Sequence, residues 1–420
     1  MKHKYYTVAI LGVGARGSIY GRFIAQRKDW FRIVSLCDLR QDKLVDFGRE
    51  FQVPDESLYA DETEFFKEKR ADVLVIATQD KDHIRHCLKA FELGYDVLLE
   101  KPITDDIEEC NQLLSAQKKH GNKALVCHVL RYAPAFLKVG ELLKNGEIGH
   151  LVNIEALERV GYWHQAHSYV RGNWRKREDS TPMIMAKCCH DLDLLQYYAG
   201  AACESIASVG SLTLFKKENA PKDCADFCVN CQYKSSCSYS AVNIYVERWK
   251  EEGKPVDMWP HNVVANAPLT EEKLYQSIEK GPYGRCVYKC DNNVVDHQLV
   301  QMAFKNGVKA TLTMTAFTKF GGRRMSFYGT EGSIVLDEQE NIIRMEKFVG
   351  ESKTFEIQVL NEGGYGHGGG DFYLIENLYR VLCGEVPNST SLEFSIESHL
   401  MAICAEQSRL EKGKVIYIHQ

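Results

Sequence analysis

No stretch of this chain holds the unbroken apolar run of about 20 residues that crosses a bilayer. Nor is there an excess of basic charge. Lys and Arg number 52 against 57 Asp and Glu, giving a net charge of −5 and a pI near 6.3. That balance speaks against a nucleic-acid partner and against an anionic membrane surface. Internal repeats and low-complexity tracts are also missing. The first residues, MKHKYYTVAILGVGARG, set basic residues before an apolar run, as an export signal does. The run is short, however, and flows into a glycine-rich turn, so it reads as a first strand. A cytoplasmic location is the expectation. Cysteine is the exception to this scarcity, with 15 residues. Most are scattered in apolar segments, as buried thiols are. A reducing compartment leaves them without a disulfide framework. With about 150 residues per domain as a guide, 420 residues point to two domains.

The strongest pattern is at the start. Tyr6–Leu11 is apolar and β-prone, and it leads into Gly12-Val13-Gly14-Ala15-Arg16-Gly17. A helical pattern follows, then a second strand, Phe31–Cys37, ending at Asp38. Strand, glycine-rich turn, helix, strand and acid make the dinucleotide fingerprint. Gly12 permits the tight turn, Gly14 lets the backbone approach a pyrophosphate, and Gly17 lets the helix pack against its strand. Ala15 and Arg16 open the helix, whose N-terminal N–H groups suit phosphates. Asp38 is placed to take two ribose hydroxyls. Arg40 could meet a 2′-phosphate, which Asp38 would repel, so NAD is expected over NADP. Strand–helix alternation continues through residues 72–77 (DVLVIA), a run typical of a parallel strand buried on both faces. Thr78, just beyond it, is a further expected cofactor contact. The strand at 96–99 ends in Glu100-Lys101-Pro102, at the edge where open parallel sheets bind ligands.

The expected architecture is therefore α/β followed by α+β. A doubly wound, Rossmann-type NAD(P)-binding domain spans residues 1–127. A substrate domain on a large, mostly antiparallel sheet spans 128–420, because strands follow one another from residue 298 without intervening helices. Residues 216–260 look like an insertion.

Chemistry-bearing side chains gather in five places. Lys101 can hydrogen-bond a substrate hydroxyl. Lys187 and His190 are three apart in a segment with helical periodicity (184–198), so they are expected on one face, with Asp191 and Asp193 beside them. His164, His167, Arg171, Asn173, Trp174 and Arg175 form a dense polar and aromatic stretch, as a carbohydrate pocket needs. Cys224, Cys228, Cys231 and Cys237 are separated by three, two and five residues, which suits one tetrahedral thiolate site, most naturally structural zinc clamping a loop of little apolar content. His367 lies in Gly366-His367-Gly368-Gly369-Gly370-Asp371, where Asp371 is expected to cap a helix and His367 to reach the pocket.

With the glycine turn, Glu100-Lys101-Pro102 and the helix carrying His190-Asp191-Leu192-Asp193 in view, the sequence resembles the Gfo/Idh/MocA family, the glucose–fructose oxidoreductase and inositol dehydrogenase group. The resemblance in order of elements covers nearly the whole chain. It implies a nicotinamide cofactor, a sugar, cyclitol or similar polyol as substrate, Lys101 and His190 as the catalytic pair, and homo-oligomers through the second-domain sheet. One departure is plain: many members carry an aspartate four residues before that histidine, and here Ala186 stands there, followed by Lys187. Three functions compete. The first is an NAD(P)-dependent oxidoreductase moving hydride to or from a hydroxyl-bearing carbon of a sugar, glycoside or polyol. The second is a redox-assisted glycosidase using tightly bound NAD. The third is a non-catalytic nucleotide sensor.

Overall fold

The computed structural model describes residues 5–357 and 367–419. The first sheet is built from short apolar strands, β1 Tyr6–Leu11, β2 Phe31–Cys37, β3 Leu58–Tyr59, β4 Val73–Ile76, β5 Asp96–Leu99 and β6 Ala124–Val126. They pair in parallel in the order β3-β2-β1-β4-β5-β6. Helices α1 Ala15–Ala25, α2 Gln41–Phe51, α3 Glu62–Phe65, α4 His83–Glu92 and α5 Ile107–His120 make the crossovers. Period-two alternation sends Val8, Ile10, Val73 and Val75 into one core, and Ala9, Leu11, Leu74 and Ile76 into the other. With helices on both faces, all four residues of β4 are buried. The last helices return to finish this domain. Leu374, Ile375 and Leu378 of helix Gly370–Leu382 enter the first of those cores. Leu392 and Ile396 of helix Leu392–Leu410 enter the second.

After α6 Pro134–Lys144 the chain builds a nine-stranded sheet from β7 Leu151–Arg159, β8 Cys203–Ser211, β9 His297–Phe304, β10 Lys309–Thr315, β11 Gly322–Gly329, β12 Gly332–Asp337, β13 Ile342–Lys347, β14 Lys353–Glu356 and β15 Ile416–Tyr417. Its order is β14-β13-β12-β11-β7-β10-β9-β8-β15. Only β7 and β10 run parallel; the other neighbours are antiparallel. One face is covered by α6 and helix Cys189–Ala199, whose Leu192 and Leu195 share a core with Ile154, Leu312 and Phe327. The periodicity at 184–198 is interrupted. Met183–Ala186 and Cys189–Ala199 are separate helices, with Lys187 and Cys188 in the break. No helix among the described residues is long and apolar enough to cross a membrane.

The insertion packs into a separate core that it shares with the segments flanking it. Phe215, Ile244, Tyr245, Trp249, Leu274, Ile278 and Val287 are buried together with Ala166 and Val170 of the π-helical segment Gln165–Arg171. Apolar burial contributes to its order.

Candidate active site

The cofactor end follows from backbone sterics. Gly12 has φ +89°, and a Cβ there would lie 2.5 Å from the Ala77 carbonyl oxygen; one on Gly17 would lie 1.9 Å from that of Gly12. Both must be glycine for the turn to close. A Cβ on Gly14 would meet nothing within 4 Å. That open space sits over the start of α1, where no side chain caps the first turn. Free N–H groups beneath an open glycine fit a pyrophosphate. Asp38 accepts from the Val13 N–H at 2.8 Å and from the Arg40 N–H at 2.9 Å, which fixes its carboxylate beside the turn. The Arg40 guanidinium is drawn to Asp42 and Asn266, so it is already engaged away from a 2′-phosphate. These residues fit NAD. Thr78 hydrogen-bonds His86 through its hydroxyl at 3.0 Å, and its carbonyl lies 3.2 Å from His83 Nε2. His83 Nδ1 in turn lies 2.6 Å from the carbonyl of Pro102, so one imidazole ties the end of β4 to the turn bearing Lys101.

The Lys101-Pro102 bond is cis. Lys101 Nζ reaches across to the second domain and donates to the Ala186 carbonyl at 3.0 Å. It therefore touches the backbone of the position that carries the family's usual aspartate. His190 is 4 % exposed and its Nδ1 is unpartnered among the described residues. Burial, then the Lys101 charge, holds its pKa well below the ordinary histidine range, so the ring is neutral at pH 7. The two nitrogen-bearing side chains from separate domains thus meet at one corner.

Lys187 does not share a helical face with His190, because it lies in the break between helices. Its Nζ is 3.1 Å from Glu158 Oε1. Glu158, fully buried at the end of β7, also faces Arg323 at 3.1 Å. Neither contact has hydrogen-bond geometry, so Glu158 is held by charge. Arg323 clamps Asp191 through Nε at 2.8 Å and Nη2 at 3.2 Å. Burial raises the Asp191 pKa to about 6 against the pull of Arg323. Asp191 therefore positions the His190 helix from behind. Asp193 faces away, in a bidentate pair with Arg131 at 2.6 Å.

Arg16 and Glu100 are joined to each other. Arg16 Nε donates to Glu100 at 2.7 Å, and its other nitrogens bind Asp371. Asp371 is not a helix cap: Gly369 holds that position, and Asp371 lies in the first turn of helix Gly370–Leu382. Its Oδ2 is 3.1 Å from His367 Nδ1. The His367 ring lies 5.6 Å from that of His190.

Residues 6–128 match the profile of the GFO_IDH_MocA oxidoreductase family for its NAD-binding Rossmann fold, and residues 140–415 match that for its C-terminal alpha/beta domain. The chain belongs to this family. The protein YteT of Bacillus subtilis (strain 168) is 24% identical over 330 residues, covering 75% of this chain and 74% of YteT. The myo-inositol 2-dehydrogenase of Thermotoga maritima is 21% identical over 275 residues, covering 63% of this chain and 78% of the enzyme. A levoglucosan dehydrogenase solved with NADH and levoglucosan superposes with a TM-score of 0.71 at 15% identity, covering 99% of this chain and 100% of that one. This is the same fold.

In this oxidoreductase much of the polar stretch 164–175 lies outside the cleft. His164 stays near it. Its ring packs on Trp163 at 5.5 Å and edges Trp259 at 4.9 Å, and burial, then Lys187, keeps it neutral. His167 turns into the insertion core, hydrogen-bonded to the Tyr245 hydroxyl at 3.0 Å and stacked on Tyr283 at 4.8 Å. Arg171 is buried in the same region. It donates to the carbonyls of Arg285 and Tyr239, both at 2.7 Å, and to Cys228 Sγ at 3.5 Å. Trp174 joins Ser180 and Thr181 in donating to one oxygen of Asp80, which locks this loop to the first domain. Arg175 pairs with Asp291, and Asn173 is exposed. The polar atoms of His167, Arg171, Trp174 and Arg175 are thus engaged with protein partners. An aromatic and basic composition serves a domain junction as well as it serves a sugar.

The zinc expectation finds no support among the described residues. Cys224, Cys228, Cys231 and Cys237 line one small cavity with Cys286. Yet no group of three or more His, Cys, Asp or Glu among the described residues is placed to hold a metal ion. The region is also richer in buried apolar side chains than its cysteine spacing suggests.

Glu158 and Arg323 escaped the sequence reading. The signal was available. In β7 the buried positions run Ile154, Ala156, Glu158, and in β11 they run Arg323, Met325, Phe327. A charge where alternation demands an apolar residue marks a site.

Proposed function

We propose that the chain is an NAD-dependent dehydrogenase that removes hydride from a hydroxyl-bearing carbon of a sugar, glycoside or polyol, in a reducing, cytoplasmic compartment where its fifteen cysteines stay unpaired. The observation that carries this reading is that Lys101, bonded to the Ala186 carbonyl, lies near enough to the buried His190 for its charge to act on that ring, in a chain whose Gly14 turn is open. Gly14, the first turn of α1 and Asp38 would hold NAD, whose nicotinamide supplies the hydride acceptor. Lys101 keeps donor capacity beyond its bond to Ala186, and it orients the substrate hydroxyl and stabilises oxygen as negative charge develops. The neutral His190 accepts the hydroxyl proton. Glu158, Lys187, Arg323 and Asp191 hold the His190 helix and supply the carboxylates that Ala186 lacks. His164 and Trp259 form an apolar wall suited to sugar C–H faces. The names of the relatives, inositol and levoglucosan dehydrogenases, favour the same substrate class.

NADH formation is the test, with a panel of sugars, sugar acids and cyclitols. A protein that binds NAD yet oxidises nothing on a broad panel would remove this reading. Glycoside cleavage with catalytic NAD and no net NADH would replace it by the redox-glycosidase reading. Biological activity surviving loss of Lys101 and His190 would favour the sensor. We also propose a homo-oligomer through the outer face of the nine-stranded sheet, where Val209, Leu299 and Tyr328 are exposed. Sedimentation would show a monomer if this is wrong.

A further inference from the structure

The proposed dehydrogenation leaves a proton on a buried histidine, and the chain must return it to water. His190 is 4 % exposed, and His128 behind it is 1 % exposed, with ring centroids 6.1 Å apart. Also near it, with ring centroids 5.6 Å apart, lies His367, whose side chain is 30% exposed. His367 thus adjoins the buried imidazole and itself reaches solvent. It is held there at some conformational cost. Its φ is +67°, and the next two residues, Gly368 and Gly369, also lie in the left-handed region at +58° and +92°. A residue with a side chain rarely adopts that region, and three in succession turn the ring back on its own helix. The turn delivers Nδ1 to Asp371, four residues on, leaving Nε2 free of that bond. Asp371 is itself clamped by Arg16 from the phosphate turn. A carboxylate on Nδ1 fixes the ring and stabilises it when it gains a proton.

We infer that His367, positioned by Asp371, is the relay through which the proton taken by His190 leaves the active site; this rests on the dehydrogenase reading above. The step balances. The substrate C–H bond breaks with its electron pair going to the cofactor, and the hydroxyl proton passes to His190. It then passes to Nε2 of His367, directly or through one water, and from there to solvent or buffer. Burial and the adjacent Lys101 disfavour a charged His190, which drives the proton onward. The charged and titratable groups around the pair are Arg16 of α1, Glu100 and Lys101 after β5, His128 after β6, Arg323 of β11 and Asp371 itself.

The test follows proton release with an indicator dye and NADH with absorbance, in single turnovers of the full chain with NAD and its best sugar substrate. Wild type should release proton and NADH together in weak buffer. In His367→Asn, where asparagine tolerates the positive φ, the proton should lag NADH by about 10²-fold or more, the size of general acid–base effects. Added imidazole should close the lag, with NAD affinity unchanged. Asp371→Asn should give a smaller lag that imidazole also closes. Simultaneous release in His367→Asn, or a loss of rate that imidazole does not restore, overturns the relay while leaving the dehydrogenase intact. A wild type that forms no NADH from any sugar overturns both.

Discussion

The turn at residues 12–17 and the stretch 164–175 are both crowded with functional-looking residues, and the fold uses them differently. In the turn, function rests on backbone. Gly12 and Gly17 are forced by contacts with carbonyl oxygens, and Gly14 faces open space. In the stretch, function was inferred from side-chain chemistry. There His167, Arg171 and Trp174 spend their polar atoms on Tyr245, Arg285, Tyr239 and Asp80. A motif that dictates a conformation carries its ligand site with it. A composition that merely suits a ligand can be consumed by packing.

Substitutions can break or sharpen that contrast. The largest effect is expected at the corner that neither motif contains. Lys101→Met should lower kcat by about 10²–10⁴-fold with NAD affinity retained, measured by NADH formation and NAD titration. Arg171→Met should leave the KM for the sugar unchanged in the folded fraction. It should cost about 2–3 kcal/mol of stability in denaturant titration, because the Arg285 and Tyr239 carbonyls lose their donor. A substrate role for Arg171 would reverse that pattern.

Acid should act through the buried rings. Burial lowers the pKa of His167 to about 3 and of His399 to about 3. Groups with depressed folded pKa values bind fewer protons folded than unfolded, so stability is intact above their ordinary value near 6.5. It is lost as pH falls from there towards 3, by about 2 kcal/mol per ring at pH 5. Thermal melts across that window check the sign, and His167→Asn should flatten the slope. The smallest effect belongs to Gly14→Ala. The melting temperature should hold, since no protein atom lies within 4 Å of the new Cβ. NAD binding should weaken by about tenfold, or ~1.4 kcal/mol, because the added methyl occupies the approach to the pyrophosphate.

Other features divide along the same line. The parallel strands β1 and β4, the helix over α5 with its Gly121 stop, and the strand series from residue 297 onward were readable because period-two alternation and glycine stops are local. The break at Lys187 was not. Apolar periodicity runs across it, and only the ion pair to Glu158 on a strand thirty residues earlier shows where Lys187 goes. Asp371 looked like a cap from its place before a helix, but a partner 355 residues away, Arg16, takes its carboxylate. The cysteine spacing points to a metal, but spacing says nothing of Tyr245 and Trp249, whose burial helps to pack the same insertion.

The sequence by itself determined the dinucleotide turn, the parallel sheet beneath it and the identity of Lys101 and His190, because local sterics and alternation act within a few residues. Tertiary structure alone decided that these two side chains share one corner. It also decided that Glu158 and Arg323 stand behind them and that His367 rather than His167 adjoins His190. Those outcomes depend on desolvation and charge pairing between segments far apart in the chain, which no local pattern encodes.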